Sequence, residues 1–262
     1  MALLQISGLS KRFGGLSAVQ NFDFALNEGE IVSLIGPNGS GKTTIFNVIT
    51  GIYQANGGTI TLSDGAHSLV GLKPHRITAL GVARTFQNQR LFNEMTVLEN
   101  VLVGHHCRSR ASIAGTLLGL PSAKAERERV IASARALLGI FGDRLSPRQD
   151  TPASSLSYAN RRRLEIARAL ATEPLALLLD EPAAGMNPTE SRELIEDIRR
   201  IRDRGVTIML IEHDLTVVRG ISDRVVALDH GVKIAEGSFS EVRQHPQVIE
   251  AYLGRRAANA QA

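Results

Sequence analysis

An apolar run, Ile31-Val32-Ser33-Leu34-Ile35, leads directly into Gly36-Pro37-Asn38-Gly39-Ser40-Gly41-Lys42-Thr43-Thr44. The pattern G-x-x-x-x-G-K-[ST] on the end of a buried strand constrains the fold more than anything else in the chain. Glycines let the backbone take positive φ and bring N–H groups up to an anion. Lys42 adds a point charge suited to β- and γ-phosphates, and the Thr43 hydroxyl is a hard oxygen donor suited to Mg²⁺. A helix starting at this point directs its N-terminal N–H groups and its dipole at the same anion. Residues 36–44 therefore read as a phosphate-binding loop between a buried strand and a helix, which calls for an α/β fold.

The remaining chain can be arranged around that unit. Residues 3–8 and 17–26 alternate apolar and polar side chains, as half-buried antiparallel strands do. A helix is expected over about 42–50, stopped at Gly51, and a β segment over 59–62 after a Gly57-Gly58 turn. Thr96-Val97-Leu98-Glu99 carries the capping-box pattern of a helix start, as does Ser238 with Glu241. Residues 123–138 are rich in Arg, Glu and Ala and read as helix. Between these helical stretches lies an apolar segment, 113–120, expected either to bury itself among helices or to face a membrane partner. After about residue 172 strands (175–179, 206–211, 224–228) alternate with helices. In the helix over 189–204, Leu194, Ile195, Ile198 and Ile201 share one face. Such alternation implies a parallel sheet covered by helices. The expected organisation is one unit over 1–253: an α/β core at 1–95 and 172–237, and an inserted helical subdomain at about 96–171. A C-terminal helical segment and frayed tail follow over 238–262.

Composition narrows the setting. The net charge of +4 over 262 residues, with no long basic run, gives no sign of a nucleic-acid partner. The one cysteine, Cys107, excludes an internal disulfide framework and fits a reducing compartment. It follows His105-His106, but three consecutive side chains diverge and do not make a metal site. The start Met1–Ile6 lacks a signal-peptide pattern. No apolar stretch approaches the ~20 residues needed to span a bilayer. A cytoplasmic protein that reaches a membrane only through a partner is expected.

Three further segments carry chemistry. Leu175-Ala176-Leu177-Leu178-Leu179-Asp180-Glu181 is an apolar strand ending in two carboxylates. Ligands of open parallel sheets sit at the carboxyl ends of strands, so Asp180 is placed to hold Mg²⁺ through water and Glu181 to polarise an attacking water. Ile211-Glu212-His213 ends another apolar strand and brings His213 to the same edge. Ser157, in Leu156-Ser157-Tyr158-Ala159-Asn160, reads as the N-cap of an Arg-rich helix.

The order of phosphate loop, glutamine segment, Leu-Ser signature helix, Leu-Leu-Leu-Asp-Glu-Pro and strand-end histidine resembles the ATP-binding cassette (ABC) ATPases over roughly residues 3–253. The resemblance implies ATP and Mg²⁺ as ligands, and a phosphate-loop NTPase core (RecA-like) with a parallel sheet, an N-terminal antiparallel β subdomain and an inserted helical subdomain. It also implies that two cassettes pair head to tail, each ATP lying between the phosphate loop of one and the signature helix of the other. Carried over by position, Phe13 matches the aromatic that stacks on adenine. Gln87, in Arg84-Thr85-Phe86-Gln87-Asn88, matches the glutamine that senses Mg²⁺ and the γ-phosphate. Ser157 matches the serine that reaches the γ-phosphate in trans, and Asp180, Glu181 and His213 match the Mg²⁺ carboxylate, the catalytic base and the switch histidine.

Two departures stand out. The usual Leu-Ser-Gly-Gly-Gln has Tyr158, Ala159 and Asn160 in its last three places. If the second glycine position needs positive φ, Ala159 costs on the order of 1 kcal/mol. Asn187 stands where the family usually has Asp, and Asn187-Pro188-Thr189-Glu190 is also a good helix start.

The run Asp180–Pro188, the Leu-Ser-Tyr start, the stretch 104–125 and the end Ile249-Glu250-Ala251-Tyr252-Leu253-Gly254 resemble the ATPase subunits of bacterial branched-chain amino acid importers. That resemblance implies a second ATPase subunit, transmembrane permease subunits and, indirectly, a periplasmic solute-binding protein, with this chain peripheral on the cytoplasmic face of the inner membrane. Urea/amide importers and lipopolysaccharide exporters have closely similar cassettes. A soluble, non-transport ABC ATPase of the chromosome type would need a long heptad insert, and residues 45–155 show no sustained heptads. The ribosome type usually carries two cassettes in one chain. A phosphate-loop kinase would lack the signature helix and the Asp-Glu pair.

Overall fold

The computed structural model describes residues 1–87, 90–108 and 121–259, the last of these (253–259) by backbone only. The apolar segment 113–120 and Asn88 lie outside the described residues.

The chain opens with a long antiparallel hairpin, β1 (Ala2–Phe13) and β2 (Leu16–Asn27), in which Leu4, Ile6, Leu9, Phe22, Phe24 and Leu26 alternate inward. Next come β3 (Ile31–Ile35), α1 (Lys42–Ile49), β4 (Gly57–Leu62), β5 (His67–Ser68), α2 (Pro74–Ala79) and β6 (Val82–Arg84). Strands β1, β2, β4 and β5 form an antiparallel sheet in the order β2-β1-β4-β5. Gly57 and Gly58 were expected to form a turn before β4, but they lie within it. A Cβ on Gly58 would stand 2.5 Å from the carbonyl oxygen of Gly8, so glycine marks a close backbone approach here.

The helical region holds α3 (Val97–Gly104), α4 (Pro121–Ile140) and α5 (Tyr158–Leu170). The chain then runs through β7 (Ala176–Asp180), α6 (Pro188–Arg202), β8 (Thr207–Ile211), α7 (Leu215–Ile221), β9 (Arg224–Asp229), β10 (Val232–Gly237), α8 (Phe239–Gln244) and α9 (Pro246–Asn259). Thr96 and Ser238 close the capping boxes predicted for α3 and α8, and Asn187 closes one at the helix start predicted for α6.

The second sheet has the order β10-β9-β3-β8-β7-β6, parallel except for β10. Its central strands β3, β7 and β8 are buried along their whole length because both faces of the sheet are covered there. Leu177, Leu179, Ile208 and Leu210 face a core shared with Val97, Leu138, Leu164 and Ile198 of the helices. Ala176, Leu178, Met209 and Ile211 face a second core with Phe46 of α1 and with the antiparallel sheet. The parallel register sets Leu34 and Asp180 on either side of Ile211, so the loops leaving β3, β7 and β8 emerge at one edge.

Candidate nucleotide-binding site

The phosphate loop is shaped by its glycines and by chain from both ends of the protein. A Cβ on Gly36 would fall 2.2 Å from the carbonyl oxygen of Leu228, and one on Gly41 2.5 Å from that of Ala18. Both residues also have positive φ, so neither position tolerates a side chain. Gly231 N–H donates to Ser40 O at 3.0 Å and Gln20 N–H to Gly231 O at 2.8 Å, which fastens the β9–β10 turn onto the loop. Helix α1 starts at Gly41 with no side-chain cap, so its first N–H groups point where an anion can accept from them. Lys42 Nζ is turned back on the loop, donating to Gly36 O at 2.8 Å and Pro37 O at 2.9 Å.

An open cleft of about 820 Å³ brings this loop together with Phe13, Gln87 and Glu181. Phe13 is 40% exposed and meets Tyr53 edge to face, ring centroids 5.1 Å apart, with Lys11 Nζ over its ring. It therefore lines the cleft, partly exposed, rather than lying in the core.

Three of the predicted catalytic side chains converge. Gln87 Nε2 donates to Glu181 Oε2 at 3.0 Å, and His213 Nδ1 lies 3.9 Å from the same oxygen. Glu181 has φ +47°, an uncommon conformation for a non-glycine residue. Its backbone N–H donates to Ile211 O, which carries the β7–β8 pairing one residue past the strand end and fixes the turn.

Asp180 sits where predicted, but its carboxylate has a partner that the sequence reading did not include. Arg84 Nη2 donates to Asp180 Oδ2 at 2.7 Å, and Arg84 Nη1 to Asn47 Oδ1 at 2.7 Å. The register explains the pair: Arg84 lies opposite Leu178, two residues before Asp180 and on the same face of the sheet. The donor set still fits Mg²⁺. The Thr43 hydroxyl, the Asp180 carboxylate and the Gln87 side-chain carbonyl are hard oxygens, and such an ion keeps several waters. Gln87 turns its amide nitrogen to Glu181.

Glu212 was not singled out beforehand. Its side chain is 1% exposed and accepts from Ala183 N–H at 2.9 Å and from His213 N–H at 3.2 Å. It thereby ties the segment after Glu181 to the one bearing His213. Burial raises its carboxyl above the ordinary glutamate value of 4.5, with those backbone bonds pulling the other way.

Ser157 caps α5, its hydroxyl accepting from Asn160 N–H at 3.4 Å. The cost anticipated for Ala159 does not arise. Ala159 lies in the first turn of α5 and is absent from the positive-φ residues, so its methyl is compatible with the backbone and buried. Asn187 Oδ1 accepts from Thr189 N–H at 3.0 Å and from Glu190 N–H at 2.9 Å, and Glu190 answers with a bond from Asn187 N–H. Helix capping thus accounts for Asn187.

A phosphate loop joined to a strand-end Asp-Glu pair, a glutamine and a histidine, with a separate Leu-Ser helix, defines an ATP-binding cassette. The chain matches the ABC transporter family model over residues 19–184 and belongs to that family. A second model, for the branched-chain amino acid ATP-binding cassette transporter, matches residues 232–258. The chain is 48% identical over 253 residues to the high-affinity branched-chain amino acid transport ATP-binding protein LivG of Escherichia coli strain K12, covering 96% of this chain and 98% of that one. It is 45% identical over 254 residues to the corresponding protein BraF of Pseudomonas aeruginosa, with 96% and 98% covered. Among solved structures, the ADP conformation of MJ1267, an ATP-binding cassette of an ABC transporter, aligns with a TM-score of 0.84 at 32% identity over 97% of this chain and 99% of that one.

Proposed function

We propose that this chain is the ATP-hydrolysing subunit of an importer of branched-chain amino acids. Two cassettes would close around ATP beneath transmembrane permease subunits, fed indirectly by a periplasmic solute-binding protein. The convergence of Gln87 and His213 on the Glu181 carboxylate, at the mouth of a cleft floored by Lys42, carries the catalytic part of the reading. The relatives named for branched-chain amino acid transport, and the family model that matches the C-terminal segment, support the solute.

In this reading Lys42 swings from the loop carbonyls to the β- and γ-phosphates, while the glycine-rich backbone and the α1 N-terminus donate N–H groups to them. Phe13 stacks on the adenine. Thr43, Asp180 and Gln87 would hold Mg²⁺, which supplies charge neutralisation at the phosphates when bound. Glu181 accepts a proton from the attacking water, and Gln87 and His213 fix the carboxylate that does so. Ser157 is not among the residues that line the cleft with Lys42 and Glu181. In this reading its contact with the γ-phosphate would come from a second cassette, so that ATP joins the two. No helix among the described residues is long and apolar enough to cross a membrane; the proposed place, peripheral on the cytoplasmic face of the inner membrane, rests on the relatives named for transport.

Purified chain titrated with ATP and Mg²⁺ tests the site. Lys42→Ala should weaken nucleotide binding by at least about tenfold, the value of one charge-assisted contact of about 1.5 kcal/mol or more. Unchanged affinity would remove the cradle assignment. Reconstitution with its permease subunits and solute-binding protein, followed by uptake of labelled leucine against labelled urea, tests the solute. Urea-stimulated hydrolysis without a leucine response would overturn it.

A further inference from the structure

We infer that Arg162 and Glu165 of α5 are positioning residues for Gln87, their buried ion pair fixing the backbone that carries the glutamine. Arg162 Nη1 donates to Phe86 O at 2.7 Å and Arg162 Nη2 to Gln87 O at 3.0 Å. Phe86 N–H donates to Glu165 Oε1 at 3.3 Å, and Arg162 Nη1 meets the other Glu165 oxygen at 2.9 Å. The two side chains are 0% and 2% exposed. Two consecutive carbonyls and one N–H of the segment after β6 thus end on a single buried ion pair one helical turn long. The guanidinium groups of Arg84 and Arg90 also lie over the Phe86 ring, at 5.1 and 4.5 Å from its centroid.

A buried ion pair is weak evidence for stability, because apolar residues of similar volume often serve as well. The guanidinium fork does what they cannot: it fixes two carbonyl directions in a plane. The next atoms along the path are the Gln87 side chain and Glu181 Oε2, 3.0 Å apart. Burial pushes the Glu165 carboxyl upward, and the Arg162 charge opposes that.

The inference rests on the reading of Gln87 and Glu181 as partners in hydrolysis, and a double-mutant cycle separates the two. Arg162→Lys keeps the charge and loses the fork. Steady-state ATP hydrolysis by the full chain should show kcat reduced between about tenfold and a hundredfold with KM nearly unchanged, as for a misplaced catalytic group. In a Gln87→Ala background the same substitution should have little further effect on kcat. An equal additional loss in that background, or an unchanged kcat for Arg162→Lys while Gln87→Ala is impaired, would overturn the positioning role and leave Gln87 in place. A Gln87→Ala enzyme with normal kcat would instead remove Gln87 and the inference together. Should Arg162→Lys fail to fold, Glu165→Gln carries the same cycle, since it keeps the side-chain volume and an acceptor for Phe86 N–H.

Discussion

Arg84 and Asp180 form an ion pair 2.7 Å long in which the side chains are 5% and 4% exposed. The carboxylate at the end of β7 is therefore held in place by protein before any ligand arrives. Removing one partner of a buried pair leaves the other charged and uncompensated. Arg84→Ala should lower unfolding free energy by about 3–5 kcal/mol, read from urea denaturation. A loss under about 1 kcal/mol would place the pair in the class of surface bridges.

Glu181→Gln preserves the volume of the carboxylate and removes its capacity to take a proton. Turnover should fall by about 10²-fold or more while ATP affinity is retained. Phosphate release and nucleotide binding measured on the same sample check this. Normal hydrolysis by that variant would assign the base elsewhere.

Ala159→Gly restores the residue more usual at this place in the family. Because Ala159 sits in a helix with its methyl buried, the exchange should cost about 0.5–1 kcal/mol of stability. It should not raise hydrolysis. A faster enzyme would show that the helical start must open during the cycle.

The raised Glu212 carboxyl has a consequence for pH dependence. The folded state holds that proton to higher pH than the unfolded chain does, so unfolding releases it. Stability from this group is present below the ordinary glutamate value and declines as pH rises from there through the folded value. Glu212→Gln should remove that decline. Thermal melts of the two proteins between pH 4.5 and 7 should show a flatter profile for the variant, and parallel profiles would exclude the effect.

The sequence made the strand-end chemistry legible because both ends of the argument are local. Gly36–Thr44 and Asp180-Glu181 each announce strand, turn and ligand type within ten residues. The helix starts at Thr96, Asn187 and Ser238 were equally local, since a capping box closes over three residues. Arg84 was not found as a partner of Asp180, because they are 96 positions apart and meet only through the β6–β7 register. Arg162 belongs to what the sequence shows only as an Arg-rich helix, yet it is buried against a segment 75 positions away. Gly57-Gly58 looked like a turn because glycine's need for a close backbone neighbour is invisible until the neighbour is known.

The clasp of Gly231 on Ser40 and Gln20 bears on when the receptor comes into being during synthesis. A ribosome-bound chain that has not yet reached residue 231 already contains Lys42, Thr43, Gln87 and Glu181, but lacks the brace that gives their loop its shape. A chain that stops before residue 224 also lacks β9, the neighbour that completes one side of β3. The loop therefore takes its braced shape late in synthesis, and a product truncated before β9 would carry every motif residue without the strand and the turn that hold them.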